Sequence, residues 1–265
     1  MAFDFDSIAN WGPLLNSALS GVVSKDLRAE MCRPELASIG DEIDVLLTRT
    51  DPARLTEATR AWLRTQRVIA YHGSRLSEAE IASILANGLR PLIPHERQAR
   101  LQAILSQHPG WPSVESQFDC VVRETANGKF GRREGEAHLT LSRGALLTAF
   151  NHYLIEGSEF DHAVAIQLLG RDAEPLLKAN RLPILFTVAV PGDHALEVTE
   201  RRTPAGEMSG LVRRVLEYWA HWLHDPTLEP GAQHLDFGLI FYDIIPADWV
   251  VAQTPIDEAK LLPFY

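Results

Sequence analysis

Five consecutive residues, Tyr71-His72-Gly73-Ser74-Arg75, bring together groups that can bind a polar ligand. The imidazole can donate and accept hydrogen bonds, and the serine hydroxyl can do both as well. The glycine between them has no side chain, so a ligand can approach its backbone closely. The segment therefore predicts a hydrogen-bonding site.

The elements that must position this segment are a strand and a helix. Val68-Ile69-Ala70 is a small or β-branched apolar run, typical of a short buried strand that ends at His72-Gly73-Ser74. Ser77 and Glu80 have the spacing of a capping box at a helix start, and Asn87-Gly88 supplies a left-handed stop. The sequence thus predicts a strand, a polar corner, a helix and a turn.

A second stretch, Ala137–Arg143, alternates between apolar and polar residues. His138, Thr140 and Ser142 share one face of the predicted strand, and apolar residues occupy the other face. Such a strand directs its polar face towards solvent or a cleft. Both a ligand contact and an ordinary exposed strand position are open for His138.

Two helices are predicted after that strand. Residues 145–154 form the first helix, which contains Tyr153. Ser158 is the predicted N-cap of the second helix, and Glu159 in its first turn would favour the positive end of the helix dipole. The functional alternative for Glu159 is a carboxylate near a cleft.

Two more strands are predicted towards the end of the chain. Leu182–Pro191 is a long apolar run and the clearest buried strand of the sequence. Leu235–Asp243 is the last strong strand, and Asp236 lies near its start, two residues before Gly238. This last strand therefore adds a carboxylate to the candidate residues.

These segments resemble the motifs of the ADP-ribosyltransferases, in the branch of diphtheria toxin and the poly(ADP-ribose) polymerases. The first motif of that branch reads Tyr/Trp-His-Gly-Ser/Thr, followed by a helix and by Gly-Leu. The resemblance covers roughly residues 67–255. The residues that match the first motif are Tyr71, His72, Gly73, Ser74, Gly88 and Leu89.

The resemblance implies that NAD is the cofactor. In the family, the histidine and the glycine backbone hold the ribose and the amide of nicotinamide, and the hydroxyl assists. In the second motif, a tyrosine of the family stacks on nicotinamide. Here His138 or Thr140 takes that position, and Tyr153 is an alternative aromatic residue.

The third motif begins with the catalytic Glu of the family, and this position falls on or near Gly238. The resemblance implies that Asp236, on the same strand face and one methylene shorter, substitutes for it. Such a carboxylate stabilises positive charge at the anomeric carbon. The residues assigned to catalysis are Asp236, His138 and Glu159; those assigned to NAD binding are Tyr71, His72, Gly73, Ser74, Arg75, Thr140, Ser142 and Tyr153; no metal is expected.

The predicted fold is α+β, with split antiparallel sheets of the ADP-ribosyltransferase type and a helical N-terminal region. Residues 1–66 are predicted to be helical, with Asp51-Pro52 as an N-cap and first helical residue. This region is either a regulatory or partner-binding subdomain or a cap that covers the sheet. Residues 67–265 form the predicted catalytic domain.

The segment between the first two motifs has two open features. Arg90, Arg97 and Arg100 line a predicted helix, where they either meet the pyrophosphate of a dinucleotide or form a solvated face. Residues 112–135 are predicted to be rich in loops, because Asn127-Gly128 and other turn signals lie there.

Composition excludes several classes of protein. The formal charge is −10 and the pI about 5.5, which argues against a nucleic-acid footprint over the whole surface, although a local basic groove stays open. Two cysteines do not make a disulfide framework, so free thiols in a reducing cytoplasm are expected. No apolar run near 18 residues and no secretory signal are visible. His221 and His224 lack the further ligands of a zinc site.

The function expected from the resemblance is NAD-dependent ADP-ribosyl transfer to an unidentified acceptor, which is a protein, a nucleic acid or a small molecule. One alternative is a non-catalytic module that binds NAD, ADP-ribose or a protein partner through the same cleft. Another is an NAD-dependent RNA 2′-phosphotransferase of the same fold, which the acidic charge argues against. The last is a helical scaffold whose cleft is empty.

Overall fold

The computed structural model describes residues 2–32, 38–128, 133–204, 207–233 and 237–261. The fold is α+β, and helices hold more than half of the residues. The predicted fold class is therefore confirmed at this level. The strands are β1 (Ala2–Asp4), β2 (Arg67–Leu76), β3 (Ala137–Thr140), β4 (Leu182–Pro191), β5 (Gly238–Phe241) and β6 (Val250–Pro255).

The six strands form one open sheet in the order β5-β3-β2-β4-β6, and β1 also pairs with β2. The sheet is antiparallel except for β1, whose residues Ala2–Asp4 lie parallel to Arg67, Val68 and Ile69. The resemblance predicts a split pair of sheets, whereas β4 here pairs directly with β2. The long apolar run predicted as a buried strand is confirmed as β4, with the bounds expected.

β2 is longer than the sequence predicts. The prediction that the strand ends at His72-Gly73-Ser74 is wrong, because β2 continues to Leu76. β3 and β4 flank β2 and supply backbone partners on both sides, so an extended chain stays hydrogen-bonded beyond the apolar run. The three polar-motif residues therefore lie within a strand and not at a corner.

The helices follow the predicted pattern in most places. The longest of the helices described is Gly210–His224. The helices are α1 (Ile8–Ala18), α2 (Lys25–Met31), α3 (Asp41–Arg49), α4 (Pro52–Arg64), α5 (Glu78–Asn87), α6 (Pro94–Leu105), α7 (Trp111–Val114), α8 (Phe118–Asn127), α9 (Arg143–Thr148), α10 (His152–Ile155), α11 (Glu159–Leu169), α12 (Glu174–Lys178), α13 (Gly192–Glu200) and α14 (Gly210–His224).

The signals for helix starts are confirmed in detail. At α5, the Ser77 hydroxyl accepts the backbone N–H of Glu80 at 3.3 Å, and the Glu80 carboxylate accepts the backbone N–H of Ser77 at 2.9 Å. At α4, the Asp51 carboxylate accepts the N–H of Ala53 at 2.9 Å, and Pro52 is the first helical residue. These caps satisfy backbone donors that the first helical turn leaves unpaired.

The single helix predicted over residues 145–154 is wrong, since two short helices, α9 and α10, occupy this range. The side-chain amide of Asn151 donates to the carbonyl of Leu147 at 3.4 Å. In a continuous helix, that carbonyl would accept the backbone N–H of Asn151, so the side chain competes with the helix. The break therefore has a local cause.

The described chain divides into two compact units. Unit 1 comprises Met1–Ala70, Thr140–Ala145 and Val188–Leu239, and unit 2 comprises Tyr71–Leu139, Leu146–Thr187 and Ile240–Tyr265. Strands β2 to β5 each contribute residues to both units. The division into residues 1–66 and 67–265 stays a prediction, and the first segment of unit 1 ends at Ala70. That division does not anticipate the two later segments of that unit.

Unit 1 contains the helices predicted for the N-terminal region, together with β1, which the sequence does not predict. Its core is aromatic: the Phe3 ring lies 5.1 Å from that of Trp11 and 5.4 Å from that of Trp62. The Phe5 ring lies 4.7 Å from that of Tyr218 on α14. Edge-to-face pairs of this kind add to the free energy gained from burying apolar area.

Unit 2 has a second core between α6, α8 and α11. The prediction that residues 112–135 are rich in loops is wrong for most of this range, because α7 and α8 lie there. Phe118, Val121 and Val122 on α8 recur at helical spacing and are buried. The turn signals at Asn127-Gly128 end the helix and do not indicate a long loop.

Gly88 and Leu89, which follow α5, contact the segment that comes after β5. Gly88 has φ +84°, and Leu89 exchanges two backbone hydrogen bonds of 2.9 Å with Ile245. A Cβ on Gly88 would lie 2.2 Å from the carbonyl oxygen of Ile245. Only glycine therefore allows this turn to meet that strand segment closely.

We predict that Gly88→Ala destabilises the protein more than Gly170→Ala does. Both glycines end a helix with positive φ and extended ψ, but nothing lies within 4 Å of a Cβ on Gly170. Backbone strain alone should cost Gly170→Ala about 1–3 kcal/mol. Gly88→Ala adds a clash with the Ile245 carbonyl and should cost about 2 kcal/mol more. Urea unfolding of both variants measures the difference, and equal losses would contradict the close approach.

Candidate functional site

His72 occupies the middle of β2, where its imidazole reaches the neighbouring strand. The ring nitrogen Nδ1 lies 2.9 Å from the backbone carbonyl oxygen of His138 on β3. A carbonyl can only accept, so Nδ1 carries the proton and donates it. The other ring nitrogen, Nε2, is therefore an acceptor. The Phe186 ring of β4 lies 6.5 Å from the imidazole and fills the space beside it.

Burial keeps the His72 ring neutral. It lowers the pKa of His72 below the ordinary value of 6.5, and the charge of His138 lowers it further, whereas the hydrogen bond to the His138 carbonyl acts in the opposite direction. Desolvation disfavours the charged imidazolium and leaves one donor and one acceptor on the ring. At neutral pH, His72 therefore presents an acceptor nitrogen, which suits a hydroxyl group of a ligand.

Gly73 packs closely against two leucine side chains within unit 2. A Cβ at this position would lie 2.7 Å from Leu146 of α9 and 3.2 Å from Leu154 of α10. Both leucines are buried, and they cover this face of β2. The sequence explains the glycine by close approach of a ligand, whereas in this conformation two leucine side chains make the close approach.

The neighbours of His72 and Gly73 differ in their access to a ligand. Tyr71 is buried, and Ser74 is partly exposed. Arg75 is buried, and its guanidinium donates to the Glu258 carboxylate at 3.0 Å and to the carbonyl of Ile155 at 3.2 Å. Because the Arg75 donors serve an ion pair and the end of α10, its predicted role in NAD binding stays a prediction that this geometry does not favour.

His138 on β3 is paired with a carboxylate. Its Nε2 lies 2.7 Å from Oε2 of Glu136, and its side chain is 35% exposed. The alternation predicted for β3 is confirmed over Ala137–Thr140, where buried and partly exposed residues alternate. His138 therefore points to the accessible side of the strand, together with Glu136.

Thr140 and Ser142 belong to unit 1, and Ser142 departs from the alternation. Thr140 is partly exposed, and its hydroxyl accepts the backbone N–H of Ser142 at 3.4 Å. Ser142 is fully buried, and its hydroxyl accepts the N–H of Ala145 at 3.0 Å. Ser142 thus caps the start of α9, and its predicted contact with NAD stays untested.

Tyr153 and Glu159 lie together in a second polar cluster of unit 2. The Tyr153 hydroxyl is hydrogen-bonded to Arg133 and lies 3.4 Å from the Glu159 carboxylate. Glu159 also lies 3.6 Å from Arg133 and 3.5 Å from His152. Burial raises the pKa of the Tyr153 phenol, although Arg133 lowers it. The predicted aromatic residue and the predicted carboxylate are thus brought together by α10 and α11.

The third motif lies only in part within the described residues. Asp236, the predicted substitute for the catalytic Glu, lies outside them. Phe237 is described, and its carbonyl accepts the N–H of Leu141 at 3.1 Å. β5 itself, Gly238–Phe241, contains no carboxylate.

The arginines of α6 are engaged in ion pairs. Arg97 is buried, lies 2.8 Å from Glu134 and stacks on the Phe160 ring at 3.4 Å from its centroid. Arg100 lies 2.5 Å from Asp161 and 3.0 Å from Glu80. Both arginines therefore tie α6 to other elements of unit 2, and Arg90 forms an exposed pair with Glu96.

The sequence did not single out Glu136 or His152 as site residues. Glu136 lies two residues before His138 and immediately before Ala137, where the predicted alternating stretch begins. Starting that stretch at residue 136 would have placed Glu136 on the same face as His138. His152 lies on α10 with its ring 4.0 Å from that of Tyr153, and burial lowers its pKa. No motif marks His152 in the sequence, although Tyr153 and Glu159, which lie beside it, are close to it in the chain.

Unit 1 has a buried carboxylate–imidazole pair of its own. Nδ1 of His221 donates to Glu42 at 2.8 Å, and the His221 ring stacks on that of His224 with centroids 5.9 Å apart. Glu42 and His221 are both buried, and the pair ties α3 to α14. Within the described part of the chain, no three His, Cys, Asp or Glu residues are grouped to hold a metal ion.

Comparison with protein-family models, with curated proteins and with solved structures yields no match for this chain. Among the described residues, no helix is both long and apolar enough to cross a membrane.

We predict that His72→Asn makes the stability of the protein less sensitive to acid. Because burial lowers the pKa of His72 below 6.5, the unfolded chain takes up a proton first as the pH falls. Below about pH 6.5 the wild-type protein should therefore lose stability relative to the variant, and above it the difference should stay constant. The Asn amide can still donate to the His138 carbonyl.

Urea unfolding at several values between about pH 5 and about pH 8 measures this difference. His152 also has a pKa lowered by burial, but it is present in both proteins and its contribution cancels. A difference that does not change with pH would contradict the neutral, desolvated state of His72.

Proposed function

We propose that this chain is an NAD-dependent ADP-ribosyltransferase of the α+β type, with the site built around His72 and His138. The proposal is supported chiefly by the order of three strands in the sheet. The segments that resemble the three motifs lie on β2, β3 and β5, far apart in the sequence, and these strands are consecutive neighbours, β5-β3-β2. A shared site requires such adjacency, which the sequence alone does not provide.

The state of His72 fits a ribose hydroxyl. Nε2 is an acceptor because Nδ1 donates to the His138 carbonyl, and a sugar hydroxyl can donate to it. Ser74, which is partly exposed, can add a second hydrogen bond. The residues that would hold NAD in this proposal are His72, Gly73 and Ser74, with His138 or Tyr153 beside the nicotinamide.

In NAD, the ADP-ribosyl group is bonded to nicotinamide, which is a good leaving group. The chain must orient the ribose, exclude water from it and supply a negative charge near the anomeric carbon. His72 performs the first task through its neutral imidazole. Leu146 and Leu154 cover the opposite face of β2, at Gly73, so the ligand in this proposal lies on the His72 face.

A binding module without transferase activity is the second candidate. It is favoured by β5, whose residues Gly238–Phe241 include no carboxylate at the position where the resembling family has its catalytic Glu. Such a protein would bind NAD or ADP-ribose with the same histidine. It would release no nicotinamide.

A reducing compartment such as the cytoplasm fits this proposal, because both Cys32 and Cys120 are exposed free thiols. The acceptor of the ADP-ribosyl group belongs to one of the three classes named above. The N-terminal helices are, in this proposal, either a regulatory or partner-binding subdomain or a cap that covers the sheet.

We predict that the wild-type protein binds NAD and releases nicotinamide, and that His72→Asn weakens the binding about tenfold. The loss corresponds to one hydrogen bond to the ligand, about 1.4 kcal/mol. Calorimetric titration with NAD measures the affinity, and chromatography of free nicotinamide measures turnover. Binding without release would select the second candidate.

His162→Asn is the matched control for this experiment. His162 lies on α11 in the same unit and pairs with Glu174 at 3.6 Å, outside the site. Its replacement should leave both NAD affinity and nicotinamide release unchanged. A wild-type protein that neither binds millimolar NAD nor releases nicotinamide would refute the proposed function.

A further inference from the structure

Glu136 and His138 form a carboxylate–imidazole pair on the accessible side of β3. The Oε2 atom of Glu136 and Nε2 of His138 are 2.7 Å apart, a short, charge-assisted distance. The Glu136 side chain is 16% exposed and that of His138 is 35% exposed. The carboxylate is thus the more buried member, and the imidazole is the member that a ligand can reach.

The backbone holds Glu136 in place from both sides. Its N–H donates to the carbonyl of Arg133 at 3.2 Å, and its carbonyl accepts the N–H of Leu92 at 3.2 Å. The preceding Gly135 has φ +76° and donates to the carbonyl of Leu92 at 2.9 Å. A carboxylate on such an anchored turn can fix the orientation of an imidazole two residues away.

The pair lies beside His72. The same residue, His138, offers its carbonyl to Nδ1 of His72 and its ring to Glu136. Two imidazoles on neighbouring strands are therefore linked through one residue. Glu136 on its own segment and His72 on β2 are among the titratable groups near His138.

We propose that His138 takes the proton of the acceptor nucleophile and that Glu136 is the positioning residue that orients and stabilises its imidazolium. This inference rests on the proposed function and deepens it. Nε2–H of His138 donates to the carboxylate, so Nδ1 is the nitrogen that receives the proton. When one nitrogen of an imidazole acts as a base, a carboxylate hydrogen-bonded to the other nitrogen orients the ring and stabilises its charged form.

The step balances as follows. The lone pair of the acceptor forms a bond to the anomeric carbon, and the bond from that carbon to nicotinamide breaks with its electron pair on the nicotinamide nitrogen. The acceptor loses its proton to Nδ1 of His138, and the imidazolium returns the proton to solvent.

Glu136→Gln tests the inference, because it keeps the shape of the side chain and removes its charge. The rate constant for nicotinamide release, kcat, should fall about 100-fold, whereas KM for NAD should change less than about threefold. Without the carboxylate the imidazolium is less stable, so the acid limb of the pH–rate profile should move to lower pH by about one unit. Glu136→Asp should recover part of kcat.

The second readout does not depend on turnover. Nuclear magnetic resonance of histidine-labelled protein without NAD follows the titration midpoint of the His138 ring, which should fall in Glu136→Gln. Glu115→Gln is the matched control, since Glu115 is exposed and also lies in unit 2. This control should leave kcat, the pH profile and the His138 midpoint unchanged.

The outcomes separate the inference from the function on which it rests. Nicotinamide release that is unchanged in kcat and in its pH profile by Glu136→Gln would overturn the inference alone. An unchanged His138 midpoint in the same variant would also overturn it. A wild-type protein that releases no nicotinamide with any acceptor would overturn the proposed function and the inference with it.

Discussion

The hydrogen bond from Nδ1 of His72 to the carbonyl of His138 determines what the site can do. It fixes the tautomer of the ring, and burial then keeps that ring neutral. It also adds a bond from a side chain to the backbone pairing between β2 and β3. If this bond were absent, the ring could rotate and exchange its donor and acceptor nitrogens, and a ligand would meet no defined partner.

Coverage of β2 is the second constraint, and it explains why a glycine follows that histidine. Leu146 and Leu154 approach Gly73 so closely that a side chain there would force these leucine side chains to shift. The carbonyl of Ile155, the last residue of α10, accepts a hydrogen bond from the guanidinium of Arg75. The same guanidinium lies 3.0 Å from the carboxylate of Glu258 and forms an ion pair with it. Packing and electrostatics therefore fix one side of the strand, and the ligand contacts that we propose lie on the other side.

Local signals predict local structure in this chain, and distant pairing escapes them. The capping box of Ser77 and Glu80 and the bounds of β4 could be predicted because neighbouring residues determine them. The full length of β2 depends on partner strands that lie far along the sequence. The role of Ser142 as a cap and the break at Asn151 depend on competition between side chain and backbone, which an alternating or helical pattern does not reveal.

Glu136 and His138 are brought together largely by one segment, because Glu136 immediately precedes β3 and His138 lies on it. The turn that carries Glu136 is also held by backbone hydrogen bonds to Leu92. A carboxylate on β5 would instead depend on its register with β3, and a slip of one residue would turn it to the other face. In the proposed site, the position of the carboxylate relative to the imidazole therefore does not depend on the register of β5 with β3.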